Sequence, residues 1–408
     1  MADNLKAQQG VRLRKSVPVS ELRFGMYIAE LDRPWTETPF RFQGFLLSTE
    51  QQLDTLKKYC KSVLVDSERS TTLTDAPRPG MQYFGKTVYP EKASVEQELG
   101  PARAAFTNSH ALVQEALTKV RVGHTLDAER VRGAIDSLTE SVLRNPDAML
   151  LFSQLREKGD YAESHSLDVS IYMTAFGRFL QLEQRQVELL GYLGLLQDIG
   201  KVRLPKELLE KRGRLTPGEL ARAKLHVNYS AQILRTTPGL PPELPELATL
   251  HHERYDGSGY PNKLRGSQIG LIGSIAAIAD TYDAMTVQRP YADAVAPSAA
   301  ISNLYKWRDV LFDAGIVEQF IRFIGIFPVG SLVELNSGEV GVVISQNPEQ
   351  RLKPRVMVIR DAKGIELRPQ KLLDLSRSPK ATAEESYRIL RTLEQGRVPV
   401  RSEQLFMR

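Results

Sequence analysis

The sequence predicts a mainly α protein: a multi-helix domain flanked by a small N-terminal α+β module and a small C-terminal β appendage. Three observations predict this. Between about Ala93 and Gly325 apolar residues recur at spacings of three and four, with Pro and Gly between the segments, which is the period of packed amphipathic helices. Before that region and after Pro328 the period falls to two, as in strands. A chain of 408 residues is also too long for one hydrophobic core and suits two or three.

The elements follow in order. Val17 to Asp66 reads as VPVS, GMYIAEL and FQGFLLS strands, a helical STEQQLDTLKKYC and a strand SVLVD, which makes residues 1–66 the α+β module. Residues 67–92 hold Ser, Thr, Pro and Gly without a period and read as a linker, and connecting helices carry the chain to 145. The helical domain is predicted over 146–328. The β appendage, 329–376, contains GSLVEL, GEVGVVISQ and PRVMVIR, with Asn336-Ser337-Gly338 as a turn signal. The charged tail, 377–408, is predicted to hold one helix around Glu384 to Leu393.

Composition excludes several classes. Hydrophobic residues make up 42% and charged residues 25%, ordinary values for a folded globular chain. The apolar run Leu189 to Leu196 is far short of the roughly 20 residues of a bilayer span, so no membrane span is expected. MADNLKAQQGVRLRKS lacks the apolar core of a secretory signal, which predicts a cytoplasmic protein. Cys60 is the only cysteine, so an internal disulfide and a thiolate metal cluster are both excluded, and a metal would need His and carboxylate ligands. The net charge of +5 comes from 54 basic against 49 acidic residues, too weak an imbalance to indicate a nucleic-acid partner.

The chemistry-bearing residues lie in the helical region. Of 6 histidines, His165, His226, His251 and His252 fall there beside distinctive neighbours. Any one of them alone would read as a satisfied core histidine. Asp198 closes the apolar run VELLGYLGLLQ, with Gly200 placed like a helix C-cap. A carboxylate at a helix C-terminus faces the negative end of the macrodipole and needs a cation, either Lys201 or a metal. Asp280 lies in LIGSIAAIADTYDAM, apolar on nearly all sides, where a buried carboxylate must be paired with arginine or coordinated. Asp283, about one turn on, is expected to worsen the repulsion. Adjacent side chains on a helix diverge by about 100°, so His251 and His252 can reach one metal only near a helix end or in a loop. HHERYDGSGYP supplies that setting; the bland alternative is a helix-terminal pair before a surface turn.

Taken together, ESHSLDVS, QDIGKVRLP, KLHVNYSAQIL, HHERYDGSGYP, IADTYDAMT and RPYADA resemble, in order and spacing, the HD-GYP phosphodiesterases of the HD superfamily. The resemblance covers roughly residues 146–328. LRFGMYIAELDRPWTETPF and FQGFLLS resemble a domain of unknown function that commonly precedes HD-GYP domains. The resemblance implies two divalent ions, iron, manganese or similar, and hydrolysis of cyclic di-GMP to linear pGpG or to GMP. It assigns one ion to His165, residue 197, Asp198 and Asp280, and the other to Asp198, His226, His251 and His252. It places Lys201 beside the scissile phosphate, Gly259, Tyr260 and Pro261 along the substrate groove, and Arg289 on the dinucleotide.

The sequence departs from the family at Gln197, which stands where the HD signature has its first histidine. An amide oxygen is a harder, weaker donor than imidazole, so this half should lose affinity for iron or zinc, with reduced activity. Tyr161 stands where some members carry a third-metal Glu, so no third metal is expected. Ala292 replaces a basic residue of many relatives. The alternative implied by an altered ligand set is a catalytically degenerate cyclic di-GMP receptor, or an adaptor docking GGDEF-type diguanylate cyclases through the GYP loop.

Overall fold

The computed structural model describes residues 14–22, 26–40, 44–47, 50–66, 83–155, 161–211, 213–287, 294–347, 350–393 and 405. The chain divides into two compact units, Met1–Gln82 and Tyr83–Arg408. No helix among the described residues is long and apolar enough to cross a membrane.

In the first unit, β2 (Tyr27–Leu31), α1 (Glu50–Tyr59) and β4 (Ser62–Asp66) form where the sequence predicts them, β3 (Phe45–Leu46) is a two-residue part of the expected FQGFLLS strand, and β1 (Arg14–Pro18) starts before the expected VPVS, whose Val19 opens a 3-10 turn, Val19–Glu21. The sheet is antiparallel in the order β1-β4-β2-β3. Val63 and Val65, two apart on β4, are buried with Val17, Ile28, Leu47 and Leu56, as a period of two requires. Asp32 closes the α1–β4 corner by accepting the Lys61 and Ser62 amides at 2.6 and 3.1 Å.

Residues 67–82 of the expected linker lie outside the described residues. Its remainder, residues 83–92, is not a spacer. Gly85 donates to the Leu180 carbonyl at 2.8 Å, Thr87 to Gln181 at 3.0 Å and Lys92 to Arg144 at 3.0 Å. The segment has no period because its backbone satisfies carbonyls left over at helix ends. A Cβ at Gly85 would lie 2.0 Å from the Gln181 oxygen, so only glycine fits there.

The second unit is helical first: α2 (Val95–Arg121), α3 (Ala128–Arg144), α4 (Pro146–Leu155), α5 (Tyr161–Phe179), α6 (Gln184–Leu196), a 3-10 turn (Ile199–Arg203), α7 (Lys206–Leu209), α8 (Pro217–Lys224), α9 (His226–Arg235), α10 (Leu244–Leu247), α11 (Gly270–Thr286), α12 (Pro297–Trp307) and α13 (Ala314–Ile324). Start signals in the sequence are used as such. Ser94 with Gln97 and Thr216 with Glu219 form capping boxes on α2 and α8, and Asp127 and Asp313 cap α3 and α13.

Helices α5 and α6 pack antiparallel at very short range. A Cβ on Gly191 would lie 3.0 Å from Thr174 Oγ1, and one on Gly194 would lie 2.6 Å from Ser170 Cα. Helix α11 lies against them, apolar on nearly all sides and mostly buried. Edge-on contacts of Tyr282 with Tyr172 and Phe320, with ring centroids 5.3 and 5.4 Å apart, fix it in place.

The C-terminal sheet contains β5 (Leu332–Leu335), β6 (Val340–Ser345), β7 (Arg355–Arg360), β8 (Glu366–Asp374) and β9 (Ile389–Thr392) in the order β8-β7-β6-β5-β9. The helix expected around Glu384 to Leu393 is instead this last strand, with Val333 opposite Thr392 and Leu335 opposite Ile389. The local pattern in YRILRTL reads as helical, but the unpaired edge of β5 offers it a full ladder, and tertiary pairing prevails.

Candidate metal centre

Asp198 is the hub. It follows the C-terminus of α6 and opens the 3-10 turn, buried to 8% exposure. Gly200 makes this placement possible, though not as the helix C-cap expected from sequence. The α6 cap is Gln197, and Gly200 lies inside the turn, where a Cβ would fall 2.1 Å from the His226 carbonyl and 2.4 Å from the Ser230 nitrogen. The turn therefore lies directly on α9, and the Gly200 amide donates to Ser230 Oγ at 2.8 Å.

The charge of Asp198 is answered from several elements at once. Lys201 Nζ is 2.6 Å from Oδ2, and His165 Nε2 from α5 is 3.6 Å from the same oxygen. His226 Nε2, at the start of α9, is 3.1 Å from Oδ1, and His251 Nε2, in the turn after α10, is 3.6 Å away. Burial alone would raise this carboxyl, and Lys201 is the first of the groups that hold it well below the usual range. Both sequence alternatives for Asp198 thus meet here, since the ion pair with Lys201 and the histidine cluster share one carboxylate.

The imidazoles are oriented as ligands. His226 Nδ1 faces the Ala223 carbonyl at 2.7 Å, and His251 Nδ1 faces that of Ala248 at 3.0 Å, so each Nδ1 carries the hydrogen and each Nε2 presents a lone pair. These Nε2 atoms lie 3.4 Å apart and both approach Asp198 Oδ1, which has no hydrogen-bond partner among the described residues. Lone pairs converging on a buried carboxylate oxygen repel one another unless a cation lies among them, so the residues fit a divalent ion. Ligand atoms of Asp198, His226, His251 and His252 all lie within 4.8 Å of one another, as do those of His165, Asp198 and Asp280.

His165 stands between two acids. Its Nε2 is 3.1 Å from Asp280 Oδ1, and its Nδ1 is 2.6 Å from Asp283 Oδ2. Asp283, expected to add repulsion, is fully buried and orients this ring, a role the sequence signals only by its spacing from Asp280. Burial works against charging His165, but Asp198, Asp280 and Asp283 raise its pKa well above the ordinary value. Asp280 is opposed by burial too, and His165 holds it low. His252 is kept neutral by burial and then by His251.

Gln197 is 1% exposed, and both of its side-chain amide atoms lack a hydrogen-bond partner among the described residues. A buried unpaired amide is costly, and coordination is one way to relieve it.

The GYP loop is held by a residue the sequence did not single out. Glu253, fully buried, accepts the Asn262 and Leu264 amides at 2.6 and 3.0 Å and so folds the loop back. A Cβ on Gly259 would meet the Arg254 nitrogen at 2.4 Å, so the loop closes on itself only with glycine. Tyr260 thereby stacks on His252 at 4.7 Å, and Lys224 Nζ sits 4.6 Å from the Tyr260 ring centre. Burial, then Asp198 and Asp280, raises the Tyr260 phenol above its usual value, so it remains protonated. Arg289 and Ala292 lie outside the described residues, as does the Tyr161 side chain.

Comparison with known proteins identifies the family. Residues 148–316 match the family model described as an HD domain, residues 14–131 that of a domain of unknown function (DUF3391), and residues 332–385 that of a KOW domain associated with HD domain. A cyclic di-GMP phosphodiesterase of Pseudomonas aeruginosa is 33% identical over 373 residues, 89% of each chain. The 3'3'-cGAMP-specific phosphodiesterase 2 of Vibrio cholerae is 34% identical over 160 residues, 39% of this chain and 31% of that one. The cyclic di-GMP phosphodiesterase response regulator of Xanthomonas campestris is 38% identical over 144 residues, 35% and 38% of the two chains. A solved HDG"Y"P protein from Bdellovibrio bacteriovorus superposes with a TM-score of 0.45 at 14% identity, covering 75% of this chain and 98% of that chain. With a relative of this similarity matched along most of both lengths, the chain belongs to the HD-GYP cyclic di-GMP phosphodiesterase family, and in this member the HD pair reads Gln197-Asp198.

Proposed function

We propose that this chain hydrolyses cyclic di-GMP, to pGpG or GMP, with two divalent ions such as iron or manganese. The observation that carries the reading is Asp198, whose two oxygens face His165 on one side and His226 and His251 on the other. One ion would be held by His165, Gln197, Asp198 and Asp280, the other by Asp198, His226, His251 and His252. Bound there, such ions supply Lewis acidity that activates water and stabilises the oxygens of an in-line displacement at phosphorus.

The chain's own residues do the rest. Lys201 is anchored by Asp198 but its side chain is 34% exposed, so its charge is available to a phosphate oxygen as negative charge develops. Gly259, Tyr260 and Pro261 form the wall of the groove, where the Tyr260 ring with Lys224 beside it suits a nucleobase next to a phosphate. The protonated Tyr260 donates a hydrogen bond rather than removing a proton. Arg289 belongs to the same proposal as a dinucleotide contact. A cytoplasmic location is supported by the single cysteine.

The test is turnover of cyclic di-GMP by metal-free protein reconstituted with Mn(II) or Fe(II), with 3'3'-cGAMP as a competing substrate in the panel. We expect cyclic di-GMP turnover that Asp198→Ala abolishes. Tight binding of the nucleotide without product under every metal, retained in Asp198→Ala, would instead establish a receptor.

A further inference from the structure

The two halves of the cluster differ in donor chemistry. Around His226, His251 and His252 the donors are three imidazoles and one carboxylate oxygen. Around His165 they are one imidazole and the carboxylates of Asp198 and Asp280. Gln197 decides how far this asymmetry goes.

The helix register places Gln197 on the second side. Gly191 and Gly194 of α6 lie against Thr174 and Ser170 of α5, so three residues on along α6 correspond to four back along α5. Gln197 keeps helical angles of φ −56° and ψ −29°, and its amide bonds the Leu193 carbonyl at 2.8 Å, so the stripe continues through it. The next α5 level, about four residues before Ser170, is Ser166, next to His165. The Gln197 backbone is therefore level with the α5 residue that follows His165 in the chain, and its side-chain amide is buried without a hydrogen-bond partner among the described residues.

Resting on the two-ion reading above, we infer that this chain is built for two unlike divalent ions. The three-imidazole half takes a nitrogen-preferring ion of the zinc or iron(II) class. The half with His165, Gln197, Asp198 and Asp280 presents one nitrogen and three oxygens and takes an oxygen-preferring ion of the manganese or magnesium class. Affinity at any one site rises from manganese to zinc whatever the donors. The asymmetry therefore acts on order: scarce zinc fills the imidazole half first and leaves the oxygen half to the abundant harder ion.

The experiment loads metal-free full-length protein with one equivalent of Zn(II) and excess Mn(II), removes free metal, counts both by elemental analysis and records the Mn electron paramagnetic resonance spectrum. The expected result is about one zinc and about one manganese per chain, with the six-line spectrum of an isolated Mn(II). Asp280→Ala, or the isosteric Asp280→Asn if the first does not fold, should lose the manganese and keep the zinc. Gln197→His should let further zinc displace the manganese at about tenfold lower concentration. Spin-coupled manganese pairs, zinc alone, or manganese indifferent to both Asp280 and Gln197 would overturn the inference while leaving a metal-binding cluster. Binding of neither metal would overturn the two-ion reading itself.

Discussion

The buried His–Asp cluster and the C-terminal sheet hold their charges in opposite ways. In the cluster His165, Asp198, Asp280 and Asp283 are all buried, and their partners reach them from α5, the turn after α6, α9 and α11. In the sheet, Arg391 pairs with Glu334, Arg368 with Glu366 and Arg388 with Glu385, each arginine being more than half exposed. Burying charge costs several kcal/mol per ion, and the attraction seldom more than offsets it, whereas an exposed pair is worth about 0–1 kcal/mol. The cluster is thus poorly explained as a device for stability, and its concentration of perturbed groups marks a reactive site.

The sharpest way to break that contrast is Asp198→Ala. If the cluster is for chemistry, kcat/KM for cyclic di-GMP falls by about a thousandfold or more, because both halves share this carboxylate. Steady-state kinetics under saturating metal decide it. Unchanged turnover accompanied by a lower melting temperature would make the cluster a structural network after all.

Asp283 sharpens the comparison one step out. It lies 2.6 Å from Nδ1 of His165, the ring nitrogen turned away from Asp198 and Asp280, so it orients that ring. Outer partners of this kind are worth about 10–100-fold in metal affinity. Asp283→Ala should approach the upper figure and Asp283→Asn, which keeps an acceptor, the lower. Chelator competition measures both, and equal affinities in all three proteins would remove Asp283 from the site.

How much of this could be read in the sequence depends on whether the signal is local. His251-His252 and the Asp-Gly-Ser-Gly run announce their loop, because turns are short-range chemistry. Gly200 was legible as special but not in its role, since the α9 backbone that crowds it lies 30 residues away at Ser230. Asp283 and Glu253 were misread or missed for the same reason. Their partners, His165 and the amides of Asn262 and Leu264, are defined only once the helices are packed. The strand β9 lost to a helical pattern because β5 supplies a pairing edge that no local window contains.

Between the two regions lies a carboxylate that obeys neither rule. Asp147, at the start of α4, accepts the Gln346 amide just after β6 at 3.0 Å and lines a small cavity with Gln154, Tyr172, Tyr282 and Gln346. Burial pushes it from 3.8 up to about 7; Glu91 adds to the rise, while that hydrogen bond, Arg178 and Arg355 oppose it. A carboxyl whose folded pKa exceeds its unfolded one binds more protons when folded, so stability is greatest below about pH 4 for this group and falls as pH rises to about 7. Asp147→Asn keeps the acceptor and removes the charge. It should be nearly as stable as the parent at pH 4 and more stable at pH 8, by up to about 4 kcal/mol at about 1.4 kcal/mol per pKa unit, by urea denaturation at the two pH values. A difference independent of pH would mean that Asp147 is solvated.

The smallest effect is expected on the sheet itself. Arg391 reaches Glu334 at 2.6 Å across the β5–β9 pairing, good geometry for an ion pair, but its side chain is 60% exposed and water screens both charges. Arg391→Ala should change stability by less than about 0.5 kcal/mol and leave turnover untouched. Because β9 is an edge strand, the substitution also asks what holds that edge. If the ladder from Val333 to Thr392 and the burial of Leu393 suffice, the strand's amides exchange no faster in the variant. A loss of several kcal/mol, with fast exchange confined to residues 389–392, would show that the ion pair and not the backbone pairing secures the strand, and the contrast between buried and exposed charge would fail at its weaker end.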